Sequence, residues 1–296
     1  MKNLLLIINP NAGMKKANKY LTDILVLFKS YGYESMVCVT TDGNDPFNFV
    51  KKYHTDSDLI VCIGGDGTFN QVVGAIIELK CSKPIGYIPA GSTNDFANSL
   101  KLSKKIMDAA KDIMTGKTIN IDIGKFNDRY FSYVASCGLF TKASYATPQN
   151  VKNMYGHLAY VFEGIKDLTS IKSEHLKFEF DGKIYEDDYV FAAVCNSTSV
   201  GGVLALDPNT VDLNDGLFEI LLIKMPKSIM DLNSIIVALN TQEYDTKMIT
   251  FHSVSSAKIY ADKNTDWTID GEYMKGCEVI NMQSINNAIK IIVPNR

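Results

Sequence analysis

The sequence predicts two domains, an α/β domain built on a parallel sheet and then a largely antiparallel β domain. Three observations carry this reading. Up to about residue 125, short apolar runs alternate with segments of helical periodicity, the signature of βαβ units. Beyond that point strand follows strand, punctuated by the turn signals Asn127-Asp128, Asp181-Gly182, Asp215-Gly216 and Asp270-Gly271. A chain of 296 residues also has length for two cores at roughly 150 residues per domain. The division falls at 1–125 and 126–296.

The elements follow in order. Leu4 to Ile8 reads as the first strand. After the loop Asn9 to Gly13, apolar residues at Ala17, Tyr20, Leu21, Ile24, Leu25 and Phe28 keep helical spacing, and Gly32 supplies a stop. Ser35 to Thr40 is a strand, Pro46 to Tyr53 a short helix, and Leu59 to Ile63 a strand that runs into Gly64-Gly65-Asp66-Gly67-Thr68. Phe69 to Leu79 is helical and Ile85 to Ile88 a strand. The loop Pro89 to Asp95 opens into helix, Ile106 to Met114 is a further helix, and Ile119 to Ile123 closes the unit. In the second half a helical insert is expected from Tyr155 to Leu168, where Leu158, Val161, Phe162, Ile165 and Leu168 form a core-facing stripe.

Composition narrows the classes of function. With 46% hydrophobic and 21% charged residues the chain is an ordinary folded protein, not a disordered, collagen-like or coiled-coil one. Thirty Lys plus Arg against 33 Asp plus Glu leave a net charge of −3, which gives no global attraction to nucleic acid or to an anionic membrane. The six cysteines are scattered without a C-x-x-C pair and read as small buried hydrophobes of a reducing compartment. The apolar run Leu4 to Ile8 is too short for a signal peptide, and no run approaches the ~18 residues of a membrane-spanning helix. A cytoplasmic location is expected. The four histidines lie in no metal-ligand spacing.

The string Gly64-Gly65-Asp66-Gly67-Thr68 after a buried strand is the most informative. Glycines let backbone N–H groups approach phosphates, the following helix adds its N-terminal dipole, and Asp66 offers a hard oxygen to a metal ion. Its spacing fits neither a P-loop nor a dinucleotide fingerprint. Taken alone, it is equally a Gly-rich turn with Asp66 as a helix cap.

Further strings join it: Asn9-Pro10-Asn11-Ala12-Gly13, the continuation Phe69-Asn70, Ile88-Pro89-Ala90-Gly91-Ser92-Thr93-Asn94-Asp95-Phe96, Asp122-Ile123-Gly124 and Asp270-Gly271-Glu272. Together, and in this order, they resemble the diacylglycerol kinase catalytic family, particularly its soluble bacterial lipid kinases. The similarity runs from Asn9 to about Val293.

The resemblance implies a phosphofructokinase- and NAD kinase-like α/β domain, a β-sandwich domain, and a nucleotide in the cleft between them. It implies that Asn9, Pro10, Asn11, Ala12, Gly13, Thr40, Gly64, Gly65, Asp66, Gly67, Thr68, Phe69, Asn70 and Ser92 bind ATP, and that Asp66, Asp95 and Asp122 hold catalytic Mg²⁺ and its waters. Read without it, the three carboxylates are equally caps and turn formers. The resemblance also assigns a structural Mg²⁺ to Asp212, Asp215 and the Leu217 carbonyl, preceded by Asp207-Pro208. Residue chemistry alone reads that stretch as an Asp-Gly hairpin without an ion. Glu272, at a turn after the strand Thr265 to Ile269, matches the general base of the family.

Two positions depart from the family pattern. Met14 stands where relatives have a basic residue, ahead of Lys15 and Lys16, and Glu163 stands where they have Lys, with Lys166 one helical turn later.

The expected activity is an ATP- and Mg²⁺-dependent lipid kinase that phosphorylates the hydroxyl of diacylglycerol or a related lipid, giving phosphatidic acid or an analogue. Its acceptor sits at the membrane surface, so peripheral contact with the inner membrane face is expected, without nucleic acid. A homodimer is an open alternative to a monomer. The rival readings are a kinase for NAD or a sphingoid base, and a nucleotide-binding regulator without turnover. The Pro89 to Asp95 loop argues against NAD, and the presence of both Asp66 and Glu272 against loss of turnover.

Overall fold

The computed structural model describes residues 1–139, 162, 171–200, 204–206, 211–244 and 246–295. Of the expected helix Tyr155 to Leu168 only Phe162 is described, and it is fully buried. Glu163, Lys166 and the pair Asp207-Pro208 lie outside the described residues. No described helix is long and apolar enough to cross a membrane.

The chain divides into two compact units, Met1–Ile121 with Asn287–Arg296, and Asp122–Asn286. The expected boundary at 125/126 therefore meets a junction four residues earlier, and the last ten residues return to the first unit. The return is invisible in the sequence because those residues look like one more strand of the β domain.

In the first unit the strands are β1 (Lys2–Ile8), β2 (Tyr33–Val39), β3 (Leu59–Gly64) and β4 (Ile85–Pro89), paired in parallel in the order β2-β1-β3-β4. β3 and β4 are buried along their whole length, as is β1 from Leu4 on, which explains their unbroken apolar runs: helices cover both faces. β2 lies at the edge and alternates in exposure. The helices are α1 (Leu21–Ser30), α2 (Asp45–Tyr53), α3 (Asp66–Glu78), α4 (Asp95–Ser99) and α5 (Ile106–Thr115). The helix expected from Ala17 begins instead as a 3-10 segment, Ala12–Tyr20, and becomes α-helical only at Leu21. Its core-facing residues Ala17, Ile24 and Phe28 are buried against Leu4, Leu6 and Ile8 as their spacing requires. β5 (Lys117–Phe126) leads into the second unit.

The second unit adds β6 (Arg129–Phe131), β7 (Val134–Gly138), β8 (Glu174–Phe180), β9 (Lys183–Cys195), β10 (Ser199–Val200), β11 (Leu204–Ala205), β12 (Phe218–Lys224), β13 (Ile249–Val254), β14 (Ser256–Tyr260), β15 (Trp267–Ile269), β16 (Glu272–Met274) and β17 (Val279–Val293). Among its described residues the pairings β5–β6, β7–β9, β8–β9, β9–β12, β12–β13, β8–β14, β14–β17, β7–β15 and β15–β16 are antiparallel. The long strand β9 changes partner along its length: up to Tyr189 it pairs with β8, and from there to Cys195 with β7 on one edge and β12 on the other. That switch makes a sandwich, whose core holds Phe126, Phe131, Phe178, Val194, Ile220 and Trp267. Asp181-Gly182 and Asp270-Gly271 form the expected tight turns, with φ of +49° and +70° in the first and +49° and +80° in the second. Among the described residues one α-helix was not expected, α6 (Ile229–Thr241).

Candidate active site

Three loops of the first unit meet at the carboxyl ends of β1, β3 and β4. The Asn9 N–H bonds the Ile63 carbonyl (2.9 Å), and the Ala90 N–H bonds the Gly64 carbonyl (2.8 Å), so the backbone ties them together. The Asn9 amide donates to Thr68 Oγ1 (3.1 Å) and its oxygen accepts the Asn11 N–H (3.0 Å). Glycine is required where the loops touch. A Cβ on Gly91 would lie 2.6 Å from Gly65 Cα, and one on Gly13, at φ +54°, would strike the Ala90 carbonyl. Asn94 takes the left-handed conformation at φ +52° and closes its loop through Gly91, accepting the Gly91 N–H at 2.8 Å.

Asp66 is not the cap of α3. The cap is Gly65, which has no side chain, so the first-turn N–H groups of a 13-residue helix carry no side-chain cap. Asp66 is instead the first helical residue. One carboxylate oxygen, Oδ2, accepts Thr93 Oγ1 (3.2 Å) and the Asp95 N–H (3.3 Å), while Oδ1 is buried with no hydrogen-bond partner. Burial pushes this carboxyl above the ordinary carboxylate range, opposed by the N–H groups and hydroxyl around it. A buried anion with an unsatisfied oxygen beside an uncapped helix start fits a site completed by a metal ion on a phosphate group. Asp95, 4% exposed, starts α4 next to it.

Other members of the expected ATP set play different parts. Phe69 is fully buried, stacked on Tyr87 (4.4 Å between centroids) and Phe96 (4.9 Å), so it anchors the loop from beneath. Ala12 and Thr40 are buried, and the Thr40 N–H bonds the Ile8 carbonyl at 2.9 Å. Ser92 and Asn11 are exposed, while Pro10, Gly67 and Asn70 are half-buried.

Asp122 belongs to the second unit and is fully buried. Its Oδ2 accepts the Gly216 N–H (2.6 Å), its own N–H bonds the Leu213 carbonyl (2.9 Å), and its carbonyl accepts the Asn196 amide. Asp122 thus holds the Asp212–Leu217 loop. In that loop Asp212 and Asp215 are exposed and fold onto their own backbone, accepting the Asn214 N–H (3.0 Å) and the Leu217 N–H (2.8 Å). The Leu217 carbonyl receives Ser284 Oγ at 3.4 Å. No group of three acidic, His or Cys side chains converges among the described residues, so a cation there would rest on the two carboxylates, the carbonyl and water. A third carboxylate stands behind them. Glu219 is 1% exposed, its Oε2 has no partner, and burial with Asp215 and Asp212 nearby pushes it up to about 8. A divalent cation at the loop would favour the ionised form of all three carboxylates.

The hairpin β15–β16 presents Glu272. Asp270, 5% exposed, accepts the N–H groups of Ser132 (2.6 Å), Tyr133 (3.0 Å) and Val134 (3.1 Å), which pins the turn to the neighbouring segment. Glu272 follows at the start of β16, exposed, with Arg129 Nη2 at 3.3 Å from its Oε2.

The diacylglycerol kinase catalytic domain family matches residues 3–126, and the YegS C-terminal NAD kinase beta sandwich-like domain matches residues 134–293. Over 275 residues the chain is 32% identical to a diacylglycerol kinase of Bacillus subtilis (strain 168), covering 92% of this chain and 90% of that one. The chain belongs to the diacylglycerol kinase family. It is a lipid kinase. A diacylglycerol kinase of Staphylococcus aureus (strain MRSA252) is 29% identical over 296 residues, 99% of this chain and 93% of the relative. The fold agrees with the crystal structure of a diacylglycerol kinase from Bacillus anthracis str. Sterne, at a TM-score of 0.76, 21% identity and coverage of 99% and 97%.

In this kinase the sequence reading missed two carboxylates. Glu219 had a signal, a single acid inside the otherwise apolar strand Phe218–Ile223. Asp270 was read only as a turn residue, because its three partners lie more than 130 residues away.

Proposed function

We propose that this lipid kinase transfers the γ-phosphoryl group of ATP, with Mg²⁺, to the free hydroxyl of diacylglycerol or a close relative, giving phosphatidic acid or its analogue. The observation that carries the reading is Asp66: a half-buried carboxylate whose Oδ1 is enclosed without a hydrogen-bond partner, at the uncapped start of α3 and inside three glycine-bearing loops. Mg²⁺, when bound, neutralises charge on the phosphate oxygens. The N–H groups from Gly65 to Thr68, at the loop and the first turn of α3, would hold those phosphates, and Asp66 and Asp95 would hold the metal and its waters. Asp212, Asp215 and the Leu217 carbonyl hold a second, structural ion. Glu272 takes the proton of the acceptor hydroxyl as that oxygen bonds to phosphorus and ADP departs. The acceptor stays in a bilayer, so the enzyme works at the inner membrane face. The relatives from Bacillus subtilis and Staphylococcus aureus are diacylglycerol kinases, which supports diacylglycerol over other acceptors.

The test is purified protein with labelled ATP, Mg²⁺ and mixed micelles of diacylglycerol, beside sphingosine and NAD. Label in phosphatidic acid is the expected outcome. Label in sphingosine or NAD moves the acceptor, and no label in any acceptor refutes the assignment.

A further inference from the structure

The first turn of α6 carries two large aliphatic side chains in solvent, Ile229 at 72% exposure and Met230 at 81%. Among described large hydrophobic residues only the terminal Met1 is more exposed. The helix does not need them for packing, since Leu232, Ile235, Ala238 and Leu239 already form its buried stripe. Val237, 59% exposed, lies seven residues after Met230 and so shares its face two turns on. An apolar face left in water alongside a complete buried stripe marks an interaction site.

Three lysines and two aspartates surround it. Lys224 bonds Asp187 at 2.9 Å, the exposed Lys227 also reaches Asp187, and Asp231 is held below the ordinary carboxylate range first by Ser228 and also by the exposed Lys247, which leaves a surplus of one positive charge among these five. Asp231 is the single charged residue of α6 and is engaged locally: its Oδ2 accepts the Lys227 N–H (3.1 Å), and its own N–H bonds Ser228 Oγ (3.1 Å). The protein as a whole carries −3 and is not drawn to an anionic surface, so attraction has to be local.

We propose that this face of α6 is a membrane-docking tip, with Ile229 and Met230 entering the headgroup boundary of an anionic bilayer and Lys227 and Lys247 lying among the lipid phosphates. The inference rests on the lipid kinase reading, because a two-chain acceptor does not leave the bilayer and the enzyme must come to it. Short aliphatic insertion with flanking lysines gives reversible binding, as a turning-over enzyme requires.

Co-sedimentation with phosphatidylcholine vesicles, with and without phosphatidylglycerol, tests it. The parent binds the anionic vesicles better, and added salt weakens binding. Ile229→Ser with Met230→Ser reduces binding about tenfold or more, from the apolar groups withdrawn from lipid. Lys227→Gln with Lys247→Gln removes the preference for phosphatidylglycerol, about fivefold per lysine. Met230→Trp strengthens binding, since an aromatic ring favours the interface. Turnover of a short-chain, monomeric diacylglycerol is unchanged in all three variants. Vesicle binding that ignores every substitution overturns the proposal. So does a change of oligomeric state on light scattering in the serine variant, which would make the face a subunit contact. If no diacylglycerol is phosphorylated while binding still depends on Ile229 and Met230, the acceptor reading fails and the docking tip stands.

Discussion

Asp66, half-buried with one oxygen fully enclosed, and the buried Glu219 are both pushed above the ordinary carboxylate range by desolvation. Their surroundings separate them. Asp66 has donors on one oxygen and lies at an uncapped helix start, so its other oxygen, enclosed and unpartnered, is left for a metal. Asp66→Asn keeps the shape and the loop hydrogen bonds but removes the charge. Phosphoryl transfer is expected to fall by about 10²-fold or more, with the melting temperature preserved, because metal and charge stabilisation act at the transition state. Near-parental turnover would remove Asp66 from the metal site. Glu219 faces Asp215 and Asp212, with Ser253 at 3.3 Å and its own backbone N–H as donors. The folded protein holds the Glu219 proton up to about 8, whereas an ordinary glutamate releases it near 4.5. Between these values the folded state binds the extra proton, so stability present at low pH is lost as pH rises towards 8. In chelator, Glu219→Gln should match the parent near pH 4.5 and exceed it by a few kcal/mol above pH 8, at roughly 1.36 kcal/mol per unit. Denaturant midpoints at both pH values measure this, and parallel curves for the two proteins would show that Glu219 does not titrate in this range.

At the scale of elements, the hairpin β15–β16 joins a structural acid to the proposed chemical one. Asp270 is buried and takes three backbone N–H groups, and Glu272 is exposed beside Arg129. Glu272→Gln should cut turnover by about 10² to 10⁴ while nucleotide affinity and melting temperature hold, since an exposed ion pair contributes under about 1 kcal/mol. Asp270→Asn should lower stability by about 2–4 kcal/mol and turnover with it, because the amide replaces charge-assisted bonds inside the protein. Equal stability loss in both variants would deny this division of labour. Such hairpins were legible because Asp-Gly specifies both positive-φ residues of the turn. The helix α6 was not, although Ser228 and Asp231 form a capping box before the apolar run Leu232, Ile235, Ile236 and Leu239. The run lies among strands of similar composition, and apolar residues on several faces blur its period. In the site, the glycine loops were legible because close backbone approach admits no side chain. The duty of Asp122 was not, since Gly216 lies 94 residues away and only the fold brings them together.

For the whole molecule, the two-domain plan was legible from the change of texture near residue 125, but the path of the chain end was not. Strand β17 starts in the second unit, pairing with β14, and finishes in the first, where Ile291 pairs in parallel with Ile85 of β4. Local sequence sets a strand but not its neighbour, so a terminal strand is assigned by default to the domain it follows. The contacts of this end are substantial. Ile289, Ile291 and Val293 are 2%, 0% and 7% exposed, and the Asn295 amide bonds the Thr115 carbonyl at 2.6 Å. Burying three such side chains contributes about 4.5–9 kcal/mol at 1.5–3 kcal/mol each, comparable with the whole stability of a typical domain, about 5–15 kcal/mol. Their loss would also leave β4 with an open parallel edge. A fragment of residues 1–125, the domain the sequence suggests, is therefore expected to be unfolded or aggregated, and deletion of residues 287–296 from the full chain to unfold the first unit before the second. A fragment of residues 1–121 joined by a flexible linker to 287–296 should recover a single cooperative transition by circular dichroism and bind nucleotide. Cooperative melting of 1–125 alone, at the temperature of the linked fragment, would show that the last strand is a passenger on a domain already complete.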